Sequence, residues 1–359
     1  MDLHPLFAID PYSLNKEDKS DLLGRYLNDL TQYHHEHCQP YRRILHAMGY
    51  DPESHHPCEA MPFLPVRLFK MFDLRSAPQD SIVKTMTSSG TSGQEVSRIF
   101  LDRNTSANQT KALTRIVSTF LGTARSPMLI IDSESVLKDR NLFSARGAGI
   151  LGFSMFGTKR VYALDENMEL DVDRVMGFIK EHQGERLFLF GFTFMVYQHL
   201  IMELQRRGLQ LDLNNAVLIH GGGWKKLVSE SVTSSEFKRT CEQVCGIRSI
   251  HDYYGMVEQT GSIYMECEEG HLHASVFSDI FIRRPHDFSI APPGEQGLIQ
   301  TLSVLPESYP GHSLLTEDEG VLLGEDDCPC GRRGKYFKVV GRIKGAEIRG
   351  CSDTYADEL

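Results

Sequence analysis

The chain begins with a helical pattern of apolar and polar positions. Between Leu14 and His46 apolar residues recur every three or four positions, namely Leu22, Leu23, Tyr26, Leu27, Leu30 and Tyr33. This spacing predicts a helix that buries one face. Pro40 interrupts the pattern, and four potential metal ligands precede it: His34, His35, His37 and Cys38. Consecutive helical positions do not face one another, so we interpret this cluster as a solvated helix end.

Short apolar runs and helical patterns then alternate. The predicted strands cover 98–101, 128–131, 187–190 and 216–219. The predicted helices run from a cap at Asn104 or Thr105 to Gly122, from Asp171 to His182, and from Thr193 to Gly208. Such alternation implies parallel strand pairing and right-handed crossovers, and therefore an α/β fold of layered sheets with flanking helices. Ligands of such folds bind beyond the carboxyl ends of the strands.

From about Gly261 onward the segments become shorter and proline is frequent, which predicts a β-rich subregion over about 261–340. We expect one large domain over 1–340, followed by a hinge remnant and tail over 341–359.

Composition narrows the classes of function. A net charge of −10 without a long basic run argues against nucleic-acid binding. No apolar run is long enough to cross a bilayer, and the N-terminus does not have the pattern of an export signal. We therefore expect a cytoplasmic protein whose eight cysteines are mainly reduced.

The stretch from Thr85 to Arg98 concentrates hydroxyls and glycines, in the order Ser88, Ser89, Gly90, Thr91, Ser92 and Gly93. Glycine lets the backbone approach a ligand, while successive N–H groups and hydroxyls can surround phosphate oxygens. It is not the common phosphate loop, because Gln94 stands where that motif has lysine. Taken alone, the stretch is better explained as a flexible linker.

Four further motifs follow it along the chain: Gly221-Gly222-Gly223, Tyr253 to Gly261, Leu315 to Gly320, and Gly341 to Lys344. In this order and spacing they resemble the core motifs of the acyl-adenylate-forming superfamily. Within it the chain looks most like the acyl-protein synthetases of the bioluminescence fatty acid reductase complex, with phenylacetate-CoA ligase a more distant relative. The resemblance implies ATP and Mg²⁺ as cofactors.

The resemblance also implies roles for individual residues. Ser88 to Gly93 would hold the β- and γ-phosphates, and Glu258 the magnesium ion. Tyr254 and Gly255 would contact adenine, as would the backbone of Gly221, Gly222 and Gly223, although a core tyrosine and a tight turn are alternatives. Asp318 would bind the ribose hydroxyls, but Glu317 stands where the wider family has glycine, so either carboxylate could do so. Arg342 would contact ribose or phosphate.

The C-terminal tail departs from the superfamily pattern. Typical members continue into a mobile lid domain that carries an adenylation-promoting lysine, whereas this sequence ends at Leu359. We therefore expect no lid, and Lys225, Lys226 or Lys344 as replacements for its lysine. The resemblance further implies Cys351 as the thiol that receives the acyl group. Arg349 nearby would lower its pKa.

A mixed set of cysteines and histidines is the last candidate site. Cys267, His271, Cys328 and Cys330 have side chains that suit structural Zn²⁺, with His273 beside them. Their spacing is irregular, so ordinary reduced cysteines are the default interpretation and zinc is the alternative, and His273 could instead face an acyl pocket.

We therefore expect an acid–thiol ligase that adenylates a long-chain fatty acid or similar carboxylic acid, loads it onto Cys351, and delivers it to an acyl reductase. Two alternatives remain at this point: an acyl-CoA-ligase-like enzyme that uses coenzyme A or a carrier protein, and a non-catalytic nucleotide-binding regulatory subunit.

Overall fold

The computed structural model describes residues 1–88, 96–137, 145–224 and 231–343. These residues fall into two compact units. The first unit contains 1–88, 96–120 and 254–343, and the second contains 121–137, 145–224 and 231–253.

The helices of the described residues are α1 His4–Ala8, α2 Lys16–His37, α3 Gln39–Met48, α4 Leu68–Met71, α5 Arg103–Leu121, α6 Ala145–Phe153, α7 Val172–Glu181, α8 Thr193–Met195, α9 Glu203–Arg207 and α10 Ser234–Cys245. A π-helical segment, Val196–Met202, joins α8 to α9. The strands are β1 Leu64–Pro65, β2 Ile82–Thr87, β3 Arg98–Asp102, β4 Ser126–Ser133, β5 Gly157–Leu164, β6 Leu187–Phe192, β7 Ala216–Gly221, β8 Ser249–Tyr254, β9 Tyr264–Glu266, β10 Leu272–His273, β11 Ser278–Arg283, β12 Gln296–Ser303, β13 Ser313–Glu325 and β14 Lys335–Arg342.

The second unit is built on a parallel sheet with strand order β8-β7-β6-β4-β5. All residues of β6 and β7 are buried, which explains why these strands appear in the sequence as continuous apolar runs. Helix α6 contacts β6 and α7 contacts β5. The predicted α/β fold is confirmed.

The first unit contains an antiparallel sheet with strand order β11-β12-β13-β14-β10-β9, and β1 adds to β13 in parallel. This sheet is the β-rich region predicted after Gly261. Strands β2 and β3 form a separate antiparallel hairpin.

The N-terminal helical pattern is confirmed with one correction. Asn15 caps α2 by accepting a hydrogen bond from Asp18 N–H, and Pro40 lies in the first turn of α3, where proline is tolerated. The end of α2 is only partly solvated: His37 is exposed and His35 is half-buried, whereas the side chains of His34 and Cys38 are fully buried. His34 Nδ1 lies 2.7 Å from Ser76 Oγ and its Nε2 lies 3.0 Å from the carbonyl oxygen of Pro306. Burial lowers the pKa of His34 well below its usual value.

The start of α5 is a second correction. The predicted cap was Asn104 or Thr105, but the helix already begins at Arg103. Asp102 acts as the cap, since its Oδ1 accepts a hydrogen bond of 2.7 Å from Thr105 N–H. Thr105 is buried, and its hydroxyl oxygen accepts a hydrogen bond from Ser308 N–H. That tertiary contact explains why a residue that often caps helices lies inside one.

Within the described ranges, none of the helices combines the length and the apolar character that a membrane crossing requires.

Candidate functional site

The base of the hydroxyl-rich loop is a closed hairpin in the first unit. Strands β2 and β3 pair up to Thr87 and Arg98. Beyond this pair, Ser88 N–H donates to the carbonyl oxygen of Ser97 at 3.2 Å, and Ser97 N–H donates to Ser88 Oγ at 3.0 Å. The loop therefore begins and ends at two hydrogen-bonded serines. The remaining predicted loop residues, Ser89, Gly90, Thr91, Ser92 and Gly93, lie outside the described residues.

Glu258 lies next to this loop base. It is in the short helical turn Val257–Gln259, its side chain is only 6% exposed, and the Ser97 hydroxyl donates a hydrogen bond to its carboxylate. The turn is held on both sides, because Tyr309 donates to the carbonyl oxygen of Glu258 at 3.0 Å and Gln259 Nε2 donates to Gly311 O at 2.8 Å. A hydroxyl at the end of the loop and an acidic side chain far along the sequence thus form one contact.

The pKa of Glu258 is raised above the ordinary value for glutamate, mainly because the carboxyl group is buried. The hydrogen bond from Ser97 and the positive charge of Arg342 act in the opposite direction, and the negative charge of Glu317 adds to the increase. Because the hydrogen bond and the nearby arginine offset only part of the cost of burying this negative charge, a bound cation would stabilise the ionised carboxylate.

Tyr254, Asp318 and Arg342 form a second group in the same unit. The Tyr254 hydroxyl donates to Asp318 Oδ2 at 2.8 Å, and Arg342 Nε lies 3.4 Å from Asp318 Oδ1. Asp318 and Arg342 face each other across β13 and β14. Burial, the charge of Asp318 and this hydrogen bond raise the pKa of Tyr254 well above its usual value, so the phenol stays protonated and remains a donor.

The two adjacent carboxylates on β13 have different partners. Glu317 is held by Arg67, whose Nη2 lies 2.6 Å from Glu317 Oε1, whereas Asp318 contacts Tyr254 and Arg342. Arg342 Nη1 is 4.0 Å from Glu317 Oε2. The two carboxylates that the sequence left open therefore differ in their contacts: Glu317 pairs with Arg67, whereas Asp318 accepts a hydrogen bond from the tyrosine predicted to contact adenine.

The first unit thus brings together five residues from four separate segments of the sequence, namely Ser88, Tyr254, Glu258, Asp318 and Arg342. Sequence reasoning missed Ser97, which links the loop to Glu258. A signal existed, since Ser97 is the hydroxyl residue that closes the loop at its far end, just before β3.

The Gly221-Gly222-Gly223 segment lies in the second unit at the end of β7. A Cβ atom on Gly221 would lie 2.4 Å from Cε1 of Tyr253, so the ring of Tyr253 occupies the space that any side chain would need. Gly222 has φ +72°, a conformation that favours glycine. Gly223 has open space around its Cα. Two of the three glycines therefore have a local structural requirement.

We expect Gly221→Ala to lower the free energy of unfolding by about 1–3 kcal/mol, the usual cost of overpacking, because the new methyl group must displace the Tyr253 ring. Gly223→Ala is the matched control and should be neutral or slightly stabilising, since its Cβ meets no atom within 4 Å. Chemical denaturation of both variants measures the difference. Equal stabilities would contradict the packing assigned to Tyr253.

Buried aromatic residues lie near Tyr253 in the second unit. Phe190 stacks on Phe153 with ring centroids 4.4 Å apart, and Tyr253 lies 5.0 Å from Phe153. Phe190, Phe192, Phe194 and Met195 are all buried. The predicted lysines Lys225, Lys226 and Lys344, and the predicted acceptor Cys351 with Arg349, lie outside the described residues.

The cysteine and histidine side chains form a separate cluster in the first unit. Cys267, His273, Cys328 and Cys330 have ligand atoms that all lie within 4.8 Å of one another. His273 is fully buried against these cysteines, its Nε2 3.4 Å from Cys330 Sγ. His271 is half-buried beside the group, with its Nδ1 3.4 Å from Cys328 Sγ. The fourth member of the compact group is therefore His273, with His271 at its edge.

Comparisons with known proteins agree with this architecture. Among curated proteins, the long-chain-fatty-acid–luciferin-component ligase of Vibrio harveyi is 22% identical over 364 residues, which cover 97% of this chain and 90% of that protein. The phenylacetate-coenzyme A ligase of Thermus thermophilus is 24% identical over 346 residues, covering 92% of this chain and 72% of that protein.

Among solved structures, a 2-hydroxyisobutyryl-CoA ligase in the postadenylation state, in complex with R3-HIB-AMP, superposes with a TM-score of 0.71. It is 17% identical, and the match covers 92% of this chain and 69% of that chain, so this likeness concerns the fold. The family model described as "Acyl-protein synthetase, LuxE" matches residues 2–359. The resemblance found in the sequence motifs is thereby confirmed: the chain belongs to the LuxE acyl-protein synthetase family.

Proposed function

We propose that this protein is an ATP-dependent ligase that activates a long-chain fatty acid as its acyl adenylate and transfers the acyl group to a cysteine thiol. The observation that carries the proposal is the contact between the hydroxyl loop and Glu258 through Ser97. A magnesium-bound triphosphate requires the phosphate-binding loop and the cation-binding carboxylate to lie next to each other. The group formed by Tyr254, Asp318 and Arg342 in the same unit supports it further.

The residues of the first unit suit the parts of a magnesium-bound nucleotide. Mg²⁺ prefers one or two carboxylates together with phosphate oxygens, and Glu258 offers a buried carboxylate beside the loop. When bound, the ion would neutralise charge that develops on the phosphates. Asp318 would accept hydrogen bonds from the ribose hydroxyls, because each of its oxygens can accept more bonds than Tyr254 and Arg342 supply.

The remaining roles are proposed for residues on several segments. Ser88 to Gly93 would donate N–H and O–H groups to the β- and γ-phosphates. Tyr254 and Gly255 would contact adenine. Arg342 would provide positive charge near the ribose or the phosphates. These donors would be in position before the reaction, which is how a site stabilises developing negative charge.

The first chemical step joins the carboxylate to AMP. A carboxylate oxygen of the fatty acid forms a bond to the α-phosphorus of ATP, while the bond from that phosphorus to the bridging oxygen breaks. Pyrophosphate leaves with the electron pair. The protein's own task is to align the two reactants and to hold the departing phosphates with the loop and with positive charge. A lysine among Lys225, Lys226 and Lys344 would supply part of that charge.

In the second step the thiolate of Cys351 attacks the carbonyl carbon of the acyl adenylate. A carbon–sulfur bond forms, the bond from carbon to the adenylate oxygen breaks, and AMP leaves with the electron pair. The thiol proton passes to solvent, and the positive charge of Arg349 would favour the thiolate. In this proposal, residues 1–340 form the adenylating domain and 341–359 a hinge and tail that present Cys351 to it.

The fatty acid substrate and the thiol acceptor are proposed from family membership and from the relatives that are named long-chain-fatty-acid–luciferin-component ligases. An acyl reductase would then take the thioester from Cys351. Transfer to coenzyme A is the second candidate, favoured by the similarity to a phenylacetate-coenzyme A ligase over most of the chain.

Pyrophosphate exchange tests the proposal directly. With ATP, Mg²⁺ and a fatty acid, we expect label from pyrophosphate to enter ATP, and radiolabelled fatty acid to become bound to the protein in a hydroxylamine-sensitive form. Exchange without protein labelling, together with an acyl-CoA product when coenzyme A is added, would favour the CoA ligase. Absence of exchange with a series of carboxylic acids would contradict adenylation and favour a regulatory subunit.

A further inference from the structure

The cysteine cluster joins two segments that are far apart in the sequence. Cys267 follows β9, and His273 is the last residue of β10. Cys328 and Cys330 lie in the connection between β13 and β14. In the sheet, β10 pairs with β9 on one side and with β14 on the other. The four side chains therefore meet where two hairpin connections approach each other.

Two distances within the cluster match those between ligands of a tetrahedral zinc ion. Bonds of about 2.3 Å to sulfur and about 2.05 Å to nitrogen place two sulfurs about 3.8 Å apart, and sulfur and nitrogen about 3.5 Å apart. Cys267 Sγ and Cys328 Sγ are 3.9 Å apart, and Cys330 Sγ and His273 Nε2 are 3.4 Å apart. A disulfide would require about 2.05 Å between the sulfurs.

The backbone presents the two cysteine segments in the same way. The carbonyl oxygen of Cys267 accepts a hydrogen bond from Gly270 N–H, and that of Cys328 accepts one from Gly331 N–H. Gly270 and Gly331 both have positive φ, at +79° and +81°. Two turns with the same hydrogen bond and the same glycine conformation thus each start at a cysteine.

The surroundings of the cluster favour a bound cation. Cys267, His273 and Cys328 are buried. His273 Nε2, the ring nitrogen that faces the cysteines, lies against the sulfur of Cys330. A metal bond to Nε2 would replace this weak contact with a strong one, while Nδ1 stays buried without a hydrogen-bond partner in the described part of the chain. The backbone N–H of Arg332 donates to Cys330 Sγ at 3.5 Å, a contact typical of the groups that support metal-bound thiolates.

A positive side chain lies against the cluster. Three thiolates, one neutral imidazole and Zn²⁺ carry a net charge of −1, and the guanidinium of Arg332, which also pairs with Glu268, lies nearby. Its Nη2 lies 3.2 Å from Glu268 Oε1, so Arg332 also links the Cys328–Gly331 turn to the Cys267–Gly270 turn. The guanidinium lies 4.5 Å from the ring centroid of Phe120, which fixes its position.

We propose that Cys267, His273, Cys328 and Cys330 bind one structural Zn²⁺. With four protein ligands the site has no open coordination position, so the ion stabilises the fold and does not take part in ligation chemistry. It connects the β9–β10 hairpin to the β13–β14 hairpin, whose opposite end carries the pair Asp318 and Arg342. This inference is independent of the proposed ligase function, because metal content is measured without any substrate.

Metal analysis of the full-length protein, purified without chelators and without a metal-affinity column, should find one zinc per chain. The Cys328→Ser and His273→Asn proteins should contain at least about tenfold less zinc than the unaltered protein. Two matched controls should keep it: His271→Asn, because His271 lies at the edge of the group, and Cys241→Ser, because Cys241 is a buried thiol of the second unit.

A second measurement on the unaltered protein covers the case in which ligand variants fail to fold. After exchange with Co²⁺, tetrahedral binding by three thiolates should produce visible d–d bands and a near-ultraviolet charge-transfer band. Chelation of the metal should lower the thermal unfolding midpoint. Protein without zinc as purified and without cobalt bands after reconstitution would overturn the proposal. Loss of zinc in His271→Asn but not in His273→Asn would overturn the assignment of His273.

Discussion

Glu258→Gln should reduce fatty-acid-dependent pyrophosphate exchange by about 100-fold or more, which corresponds to roughly 3 kcal/mol of lost transition-state stabilisation. The amide keeps the size of the carboxyl group and can still accept the hydrogen bond from Ser97, but it has no negative charge for a magnesium ion. The substitution therefore removes the charge and preserves the packing. Exchange rates at saturating and limiting Mg²⁺ measure the effect.

This loss should not arise from unfolding. Because burial raises the pKa of Glu258, the folded state favours the protonated carboxyl group more than the unfolded state does. The associated stability is greatest at low pH and is lost as the pH rises through the folded-state pKa. A neutral glutamine should therefore leave the stability at pH 7 unchanged or higher. Glu295→Gln is a suitable control, since it removes an exposed carboxylate that pairs with Arg284.

The same raised pKa predicts a pH profile. As the pH falls, Glu258 should take up a proton at a higher pH than an ordinary glutamate, and magnesium-dependent exchange should fall with it. The Glu258→Gln protein should lack this inflection in its residual activity. Exchange at the unaltered rate in Glu258→Gln would show that the carboxylate is not the magnesium ligand.

The Cys351→Ser protein should carry at least about 100-fold less hydroxylamine-sensitive acyl label than the unaltered protein. Its rate of pyrophosphate exchange should stay within about twofold of the unaltered rate. A serine hydroxyl is almost entirely protonated at neutral pH and is a much weaker nucleophile than a thiolate. Adenylation precedes the transfer and does not use the thiol. Gel autoradiography with radiolabelled fatty acid, before and after hydroxylamine, measures the acyl label.

Buried cysteines provide the controls for this experiment. Cys241 and Cys245 are fully buried in the second unit, and burial raises the pKa of Cys245 to about 12. Such thiols are poor nucleophiles at neutral pH. Cys241→Ser and Cys245→Ser should therefore retain the full acyl label. Undiminished label in Cys351→Ser would mean that another residue accepts the acyl group.

Local patterns predicted the elements whose structure depends on nearby residues. The apolar spacing from Leu22 to Tyr33 defined α2, and the apolar runs around Leu189 and Leu218 defined two neighbouring parallel strands. The errors occurred where a distant segment determines the environment. His34 is buried because Ser76 and Pro306 bond to it, and no pattern within α2 indicates that contact.

In the candidate site, too, local motifs were predicted from the sequence and contacts between distant residues were not. Glu258, Asp318 and Arg342 were found from motifs, because each lies in a short segment with a recognisable order of residues. Ser97 was not, since its importance comes from a hydrogen bond across 161 positions of sequence to Glu258, and serine is common beside loops. His273 was similarly placed by strand pairing, which aligns it with Tyr336 and so beside the cysteines.

If Glu258 holds magnesium and the loop holds the triphosphate, as proposed, the hydrogen bond between Ser97 and Glu258 would make the affinities for these two ligands interdependent. If triphosphate binding moves Ser97, the hydrogen bond to Glu258 changes, and with it the affinity of the carboxylate for a cation. A cation bound to Glu258 would in turn change the hydrogen bond that positions the end of the loop. Thermodynamic reciprocity requires that each ligand change the affinity for the other by the same factor. Ser97→Ala should therefore weaken this mutual enhancement, so that titrations of nucleotide at low and at high magnesium give more similar dissociation constants.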